Sequence, residues 1–163
     1  MSHTSREANL LGACALAVAE RLPPNAEDAA LVSLDDWLAG ATVDRIARVL
    51  GLTHSGAVRL VDRLEREGLV RRGPGPDGRS RAVRVTAAGS AAARDARAAR
   101  FAAMEGVLDP LSASERETLA GILEKLLAGM TTDHASAGHI CRLCDAHICG
   151  HPDRCPVTLA AAH

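Results

Sequence analysis

Four of the five cysteines in the chain lie within fifteen residues of one another near its C-terminal end. Two, four and five residues separate them in turn, at Cys141, Cys144, Cys149 and Cys155. Two cysteines separated by two residues can bind one metal ion from a single turn, and the later two can complete a tetrahedron of thiolates. A glycine and two prolines favour the short loop that this requires, at Gly150, Pro152 and Pro156. The spacing therefore predicts a metal site with four cysteine ligands.

The sequence leaves three interpretations of these cysteines open. Four thiolates around zinc would form a closed structural site. Four thiolates can equally hold an iron–sulfur cluster, and a proline after the last cysteine also occurs in ferredoxin-like segments. The third interpretation is a pair of reversible disulfides. Cys144 is followed by Asp145 and not by histidine, which excludes the motif for c-type haem attachment. The nearby histidines are expected to be outer groups, although one could replace a cysteine ligand: His139, His147, His151 and His163.

A second chemical feature is a basic segment in the middle of the chain. Between Asp44 and Arg84, ten arginines stand against five acidic residues, a net charge of about +5, whereas the whole chain has a net charge of -1. Segregated positive charge of this kind is suited to neutralising nucleic-acid phosphates. The alternative is that the arginines form a solvated face and that this segment binds a protein.

Two amphipathic helices are predicted inside the basic segment. Apolar residues repeat with helical spacing after a threonine N-cap, first as Val43, Ile46, Ala47 and Leu50 after Thr42, and then as Ala57, Leu60, Val61 and Leu64 after Thr53. Gly51 ends the first helix, and so short a connection makes the pair a helix-turn-helix. The polar side of the second helix would face a DNA major groove, and it carries Thr53, His54, Ser55, Gly56, Arg59 and Arg63.

A basic β-hairpin is predicted after the second helix. Residues Leu69–Arg72 and Arg81–Val85 alternate as two strands around a loop rich in glycine and proline. Asp77 and Arg79 are expected to pair and to stabilise the tip, while Arg79 or Arg81 contacts a minor groove or phosphates. Helix-turn-helix and hairpin together predict a winged helix that binds double-stranded DNA.

These residues carry a family resemblance over about fifty positions. The segments LGLTHSGAVRLVDRLEREGLVRR and PDGRSRAVRVTAAG closely resemble the winged-helix core of MarR-type bacterial transcription regulators. The similarity includes the Asp-x-Arg of the wing, at Asp77 and Arg79, and the Thr-x-x-Gly that follows it, at Thr86 and Gly89. It implies a transcription regulator that dimerises through its N- and C-terminal helices. The cysteine tail is not typical of these regulators.

The flanks of the winged helix are predicted to be helical. Helical spacing of apolar residues predicts helices over Glu7–Leu22, Ala26–Leu38 and Ala87–Leu108, and from the Ser112 cap to Met130. Their leucine surface exceeds what one small winged helix can bury, which predicts a homodimer. The predicted fold is mainly α with a small β-wing, in four segments: an N-terminal dimerisation helix (1–25), the winged helix-turn-helix (26–89), C-terminal dimerisation helices (90–131) and the cysteine-rich tail (132–163).

Two single residues carry further expectations. Trp37 is expected to pack against the helix-turn-helix as part of the core. Cys14 lies on the apolar side of the first helix, where a lone cysteine usually behaves as a small buried side chain. The alternative for Cys14 follows from the resemblance, because some MarR-like peroxide sensors carry a reactive thiol in this helix. A reactive thiol must be exposed and have a stabilised thiolate.

Together these features predict a homodimeric transcription regulator, of repressor type, that binds a pseudo-palindromic operator. The metal centre, with zinc favoured over an iron–sulfur cluster, would be structural or sensory, and a small molecule or an oxidant could be the effector. The alternative is a redox or metal-handling protein whose winged helix docks a protein partner. The sequence contains no catalytic motif, so no enzymatic activity is expected. It also lacks a signal peptide and a membrane-spanning run, which predicts a cytoplasmic location.

Overall fold

The computed structural model of the protein describes residues 5–22, 25–75 and 80–162. Within these ranges the chain is mostly helical and has one antiparallel sheet of two strands. The elements in chain order are α1 (Arg6–Arg21), α2 (Ala26–Asp36), α3 (Val43–Leu50), α4 (His54–Arg66), β1 (Val70–Pro74), β2 (Arg81–Val85), α5 (Ala87–Leu108), α6 (Ala113–Met130), α7 (His134–Ile140), α8 (Ala146–Cys149) and α9 (Pro156–Ala161). The predicted mainly α fold with a small β-wing is confirmed.

Threonine side chains fix the start of three helices around the wing. Each hydroxyl accepts the amide of the residue three positions ahead, with Thr42 accepting Arg45 at 3.4 Å, Thr53 accepting Gly56 at 3.1 Å and Thr86 accepting Gly89 at 3.1 Å. These bonds satisfy amides that the first turn of a helix leaves without a partner. The starts of α3, α4 and α5 therefore fall where the sequence predicts them.

The core lies where α2, α3 and α4 meet the sheet. Its largest fully buried side chains are apolar and include Leu34, Leu38, Ile46, Leu64 and Val83. Gly51 ends α3 with a φ of +66°, a left-handed conformation that glycine adopts at little cost. Leu52 follows it and packs against the core. This turn joins α3 and α4 into the predicted helix-turn-helix.

The two strands form the wing, and its base is tied to the core. Val70 pairs with Val85 where the strands meet the helices. Ala41, in the loop before α3, bridges Val83 of β2, and the Val83 amide donates to the Ala41 carbonyl at 2.9 Å. The position of the wing relative to α3 is therefore set by main-chain hydrogen bonds.

α1 and α6 carry their apolar side chains on the surface. In the described chain neither helix has a buried residue. The large exposed apolar side chains on these two helices are Leu10, Leu11, Leu16, Ile122, Leu123, Leu126 and Met130. Cys14 is exposed as well. No described residue of the single chain covers that face of α1, so burial of this thiol in a dimer stays a prediction. Among the described residues no helix is long and apolar enough to cross a bilayer.

The cysteine tail folds into three short helices. α7 packs against α3, and α9 packs against both α6 and α7. Gly150 ends α8 with a φ of +71°, and Pro156 is the first residue of α9, a position where proline is tolerated. The turn between α8 and α9 agrees with the predicted loop, whereas the helices on either side of it were not predicted.

Candidate nucleic-acid interface and cysteine cavity

One side of α4 carries the residues that the sequence assigns to DNA. Most of them are exposed, namely Thr53, His54, Ser55, Arg59 and Arg63, and Gly56 is partly buried. The opposite side is buried in the core through Ala57, Leu60, Val61 and Leu64. α4 therefore presents a polar face to solvent and is held from behind by apolar packing.

Two side chains on this face have acidic partners. His54 Nδ1 donates to Asp44 Oδ1 at 2.6 Å, and Arg63 Nη2 lies 2.5 Å from Glu27 Oε1. Arg59 forms no ion pair with any described residue. Arg59 is thus the predicted α4 arginine that is available to a phosphate or a base, whereas Arg63 would first have to leave Glu27.

Gly56 has a local reason to be glycine. A Cβ at this position would lie 3.1 Å from Thr53 Oγ1, the atom that accepts the Gly56 amide. Glycine therefore leaves room for the N-cap of α4.

The wing provides a second basic surface. Arg71 of β1 lies opposite Arg84 of β2, and both are exposed, as is Arg81 at the start of β2. None of these three arginines forms an ion pair with a residue that the structure describes. Asp77 and Arg79 lie outside the described residues, so their pairing at the tip stays a prediction.

Arg72 differs from the other wing arginines because it is bound to α4. Its Nη2 donates to Asp62 Oδ1 at 2.6 Å, its backbone amide donates to Glu65 Oε1 at 2.9 Å, and its Nη1 donates to the second oxygen of Glu65. The backbone and side-chain hydrogen bonds from Arg72 lower the pKa of Glu65. Sequence reasoning counted Arg72 only as positive charge. Two acids three residues apart on one helix face are the signal that could have identified this contact.

The four tail cysteines line one cavity of about 370 Å³, together with Trp37, Arg45, His134 and His151. Cys155 is buried, Cys141 and Cys144 are partly buried, and Cys149 is exposed. The structure therefore brings together all four residues that the spacing assigned to one site.

The thiols form a series of contacts. Cys141 has Cys144 and Cys155 as neighbours, and Cys149 has Cys144 and Cys155, close enough for the thiols to affect one another's pKa. Hydrogen bonding from Cys141 and then the charge of Arg100 lower the pKa of Cys144 to about 7, against the effect of burial. The bond to Cys144 and burial raise the pKa of Cys141, and burial raises that of Cys149 to about 11. A bound cation would favour the thiolate form of all four groups.

The cavity is not preformed as a metal site in the described chain. In 5–22, 25–75 and 80–162, no group of three or more His, Cys, Asp or Glu side chains is already arranged to hold a metal ion. Cysteine has a single side-chain torsion, so each sulfur atom can be redirected without moving the backbone. The donor chemistry of the cavity fits a thiolate-bound metal, and the coordination geometry would form as the metal binds.

The tail histidines occupy different environments. His134 and His151 line the cavity, and His151 Nδ1 is 2.9 Å from Thr158 Oγ1. His139 instead donates through Nδ1 to the carbonyl oxygen of Val49, at 2.9 Å. His147 is exposed, and His163 lies outside the described residues.

Main-chain groups of the tail are bound by side chains of α2. Ser33 Oγ donates to the carbonyl oxygen of Arg142 at 2.9 Å, and the Ala146 amide donates to Asp36 Oδ2 at 2.9 Å. Arg97 of α5 lies 3.9 Å from the same carboxylate. These bonds hold the tail on α2, and Arg45 of α3 brings the helix-turn-helix to the wall of the cavity.

Trp37 lies between the core and the tail. It packs against the core, as predicted, but it also lines the cysteine cavity. A Cβ on Gly138 would be 3.3 Å from Trp37 Cη2, so α7 rests closely on the ring. The indole nitrogen is buried and has no hydrogen-bond partner in the part of the chain that the structure describes.

A comparison with protein families matches the region built by these elements. A model of the MarR family covers residues 35–80, which include α3, α4 and β1. Residues 35–80 match the MarR family, and they form the helix-turn-helix and the first wing strand. The resemblance drawn from the sequence is thereby confirmed. The MarR-family match ends at residue 80, so the cysteine cavity lies outside it.

Solved structures of transcription regulators share this fold over nearly their whole length. A probable transcriptional regulator from Pseudomonas aeruginosa is 27% identical, with a TM-score of 0.56 over 75% of this chain and 97% of its own. The reduced form of MarR from E. coli is 24% identical, with a TM-score of 0.62 over 77% and 99%. A Mycobacterium tuberculosis MarR family protein in complex with p-aminosalicylic acid is 25% identical, with a TM-score of 0.53 over 76% and 98%. No curated protein matches the chain in sequence.

Proposed function

We propose that this protein binds double-stranded DNA as a homodimer and represses transcription from a pseudo-palindromic operator. The observation that carries the proposal is the exposed polar face of α4 beside the exposed arginines of the wing. A major groove admits an α-helix, and a basic wing can reach the neighbouring backbone or minor groove. The proposed contacts are Thr53, His54, Ser55, Gly56, Arg59 and Arg63 on α4, and Arg71, Arg79 and Arg81 on the wing.

The α4 contacts are expected to differ in strength. Arg59 has no ion pair to give up among the described residues, so its full charge is available to a phosphate or to a guanine edge. Arg63 would exchange the Glu27 carboxylate for DNA, and His54 would exchange Asp44. A side chain that must break an ion pair within the protein before it binds DNA adds less net affinity than one that has no such pair to break. Arg59 is therefore the α4 residue on which binding should depend most.

The homodimer is supported by the uncovered apolar side chains of α1 and α6. A protein surface rarely leaves so many large apolar side chains exposed unless a partner covers them. A second copy of the chain is the proposed partner, because a symmetric operator needs two recognition helices about 34 Å apart. A two-fold dimer through α1 and α6 would supply that pair.

The tail is proposed to hold a zinc ion through Cys141, Cys144, Cys149 and Cys155. Zinc binds four thiolates at about 2.3 Å, which puts neighbouring sulfur atoms about 3.8 Å apart, the separation of thiols in contact. An iron–sulfur cluster is the second candidate, and it holds its ligands further apart across the cluster core. All four cysteines line one cavity, which supports a single shared ion.

An effector of the DNA-binding activity is also proposed. The M. tuberculosis relative is solved with p-aminosalicylic acid, which suggests a small molecule. The cavity of this chain places the thiols beside Trp37 and His134. Its cysteine donors suit a soft metal ion better than an aromatic acid, so a metal is the proposed effector.

The proposal is tested by selecting duplexes from genomic fragments and measuring affinity against salt concentration. A slope of log affinity against log salt that reflects several phosphate contacts is expected. Arg59→Ala is expected to weaken binding by about 5- to 150-fold. Arg94→Ala removes the same charge from an exposed position on α5 and is expected to have little effect. Equal affinities of the two variants, or no preferred duplex, would contradict the proposal and favour a protein partner.

A further inference from the structure

The cysteine tail touches the helix-turn-helix at its turn. His139 of α7 donates to the carbonyl of Val49, in the last turn of α3, at 2.9 Å. Its ring also lies beside Gly51, where a Cβ would be 3.2 Å from His139 Cε1. Carbonyl groups in the last turn of a helix have no partner within that helix. His139 therefore satisfies a main-chain group at the point where the chain turns from α3 to α4.

The four cysteines lie at the ends of the tail helices. Cys141 directly follows α7, Cys149 is the last residue of α8, Cys155 directly precedes α9, and Cys144 lies between α7 and α8. One ion bound by all four would tie these helices together. Because α7 packs on α3 and α9 packs on α6, the same ion would connect the helix-turn-helix with a proposed dimerisation helix.

The tail helices are too short to be stable without such connections. They contain 7, 4 and 6 residues, and isolated helices shorter than about 12 residues are marginal in water. The described hydrogen bonds from α2 to the tail come from Ser33 and Asp36. In small thiolate sites the free energy of metal binding is also free energy of folding. The position of α7 should therefore depend on whether the cysteines hold a metal.

We propose that zinc bound by the four tail thiolates controls DNA affinity by holding α7 against the turn between α3 and α4. This inference rests on the proposed DNA-binding function. In the zinc-bound protein His139 stays on Val49 and supports the orientation of α4. Loss of zinc releases α7, removes that contact and lowers the affinity for the operator. Coupling between two binding sites typically changes affinity by about 5- to 150-fold.

The test uses the full chain as purified, after removal of metal with a chelator, and after addition of Zn²⁺. Metal and acid-labile sulfide are measured first, and about one zinc ion per chain without sulfide is expected. Metal binding is also measured without DNA by the fluorescence of Trp37, which is the single tryptophan and lines the cavity. Binding of Co²⁺ in place of Zn²⁺ is expected to quench its fluorescence.

DNA affinity is then measured for the zinc-bound and the metal-free protein on the selected duplex. The metal-free form is expected to bind about 5- to 150-fold more weakly. His139→Ala should retain zinc but lose most of this difference, because α7 no longer contacts the turn. His147→Ala is the matched control, since His147 is an exposed tail histidine, and it should behave as the native protein.

Several results would overturn the inference. If the protein does not take up zinc, the zinc site is disproved. The presence of iron together with acid-labile sulfide would disprove it as well. Equal DNA affinity with and without zinc would disprove the coupling and leave the DNA-binding function intact. If zinc loads and Co²⁺ quenches Trp37 but neither form binds any duplex, the proposed function itself fails, and the regulation inferred from it fails too. Equal responses of His139→Ala and His147→Ala to zinc would disprove the role of the turn contact.

Discussion

Gly89 has no room for a side chain unless the neighbouring backbone moves. A Cβ at this position would collide with the carbonyl oxygen of Leu69, just before β1. Thr86, three residues earlier, donates its hydroxyl to the carbonyl of Gly68 at 2.7 Å and lies 3.2 Å from that of Leu69. The Thr-x-x-Gly pattern therefore combines an N-cap with a close backbone approach at the base of the wing.

Gly89→Ala is expected to lower the free energy of unfolding by about 1–3 kcal/mol, because the added methyl group overlaps main-chain atoms that cannot rotate away. Gly106→Ala is the control in the same helix, since a Cβ there meets no atom within 4 Å. It should be neutral or stabilising, by up to about 1 kcal/mol. Urea denaturation followed by circular dichroism measures both, and equal midpoints for the two variants would disprove the close contact.

Single residues were predictable where the interaction is local. The threonine caps at Thr42 and Thr53 need only neighbours within three residues, so the sequence identified them. Arg72 binds residues of another element, and Cys14 is exposed because no other element of the described chain covers it. Neither environment was predictable from periodicity. The cysteine spacing was informative because four ligand-type residues so close together can reach one place in the fold, and all four line one cavity.

The wing is held on α4 by Arg72. This side chain is largely shielded from solvent and joins β1 to the carboxylates of Asp62 and Glu65 on α4. Because α4 and the wing would contact the same duplex, their relative position matters for DNA binding. An arginine in the middle of the basic segment thus has a structural role, while the exposed charges on either side of it remain available.

Arg72→Ala is expected to lower the free energy of unfolding by about 1 kcal/mol, since the two carboxylates it bonds are partly solvated. Arg71→Ala removes the same charge at the exposed neighbouring position and should leave stability nearly unchanged.

Folding lowers the pKa of Glu65, so this carboxylate contributes stability at neutral pH that is lost as pH falls through its folded pKa. The difference between native protein and Arg72→Ala should therefore shrink in acid, and a constant difference in thermal denaturation would contradict this.

Elements with a clear periodicity were predicted, and those without one were not. α3 and α5 begin and end where the apolar pattern places them, and the wing strands differ from their predicted bounds by two residues at most. α7, α8 and α9 contain too few turns to show a period. Their conformation follows from docking on α2, α3 and α6, which a single sequence does not display.

At the scale of the whole molecule, the apolar residues form two groups. One is the core of the winged helix, which the chain completes by itself. The other lies on α1 and α6, where the described chain buries no residue. Because α9 packs on α6, the tail lies between these two groups. A displacement of α6 at the proposed dimer interface is therefore expected to move the tail cysteines and, through α7 and α3, also α4.

Leu16→Asp is expected to convert the homodimer into a monomer, because it places a charge in the apolar face of α1, where Leu16 is 70% exposed in the single chain. Ile148→Asp is the matched control, since Ile148 is 69% exposed but lies on α8 of the tail. Light scattering after size-exclusion chromatography should give Leu16→Asp the mass of one 17.0 kDa chain and the control about twice that mass. The monomer should also bind the operator more weakly, because it can occupy only one half-site at a time. Two variants that both remain dimeric would show that the copies meet through a surface other than α1.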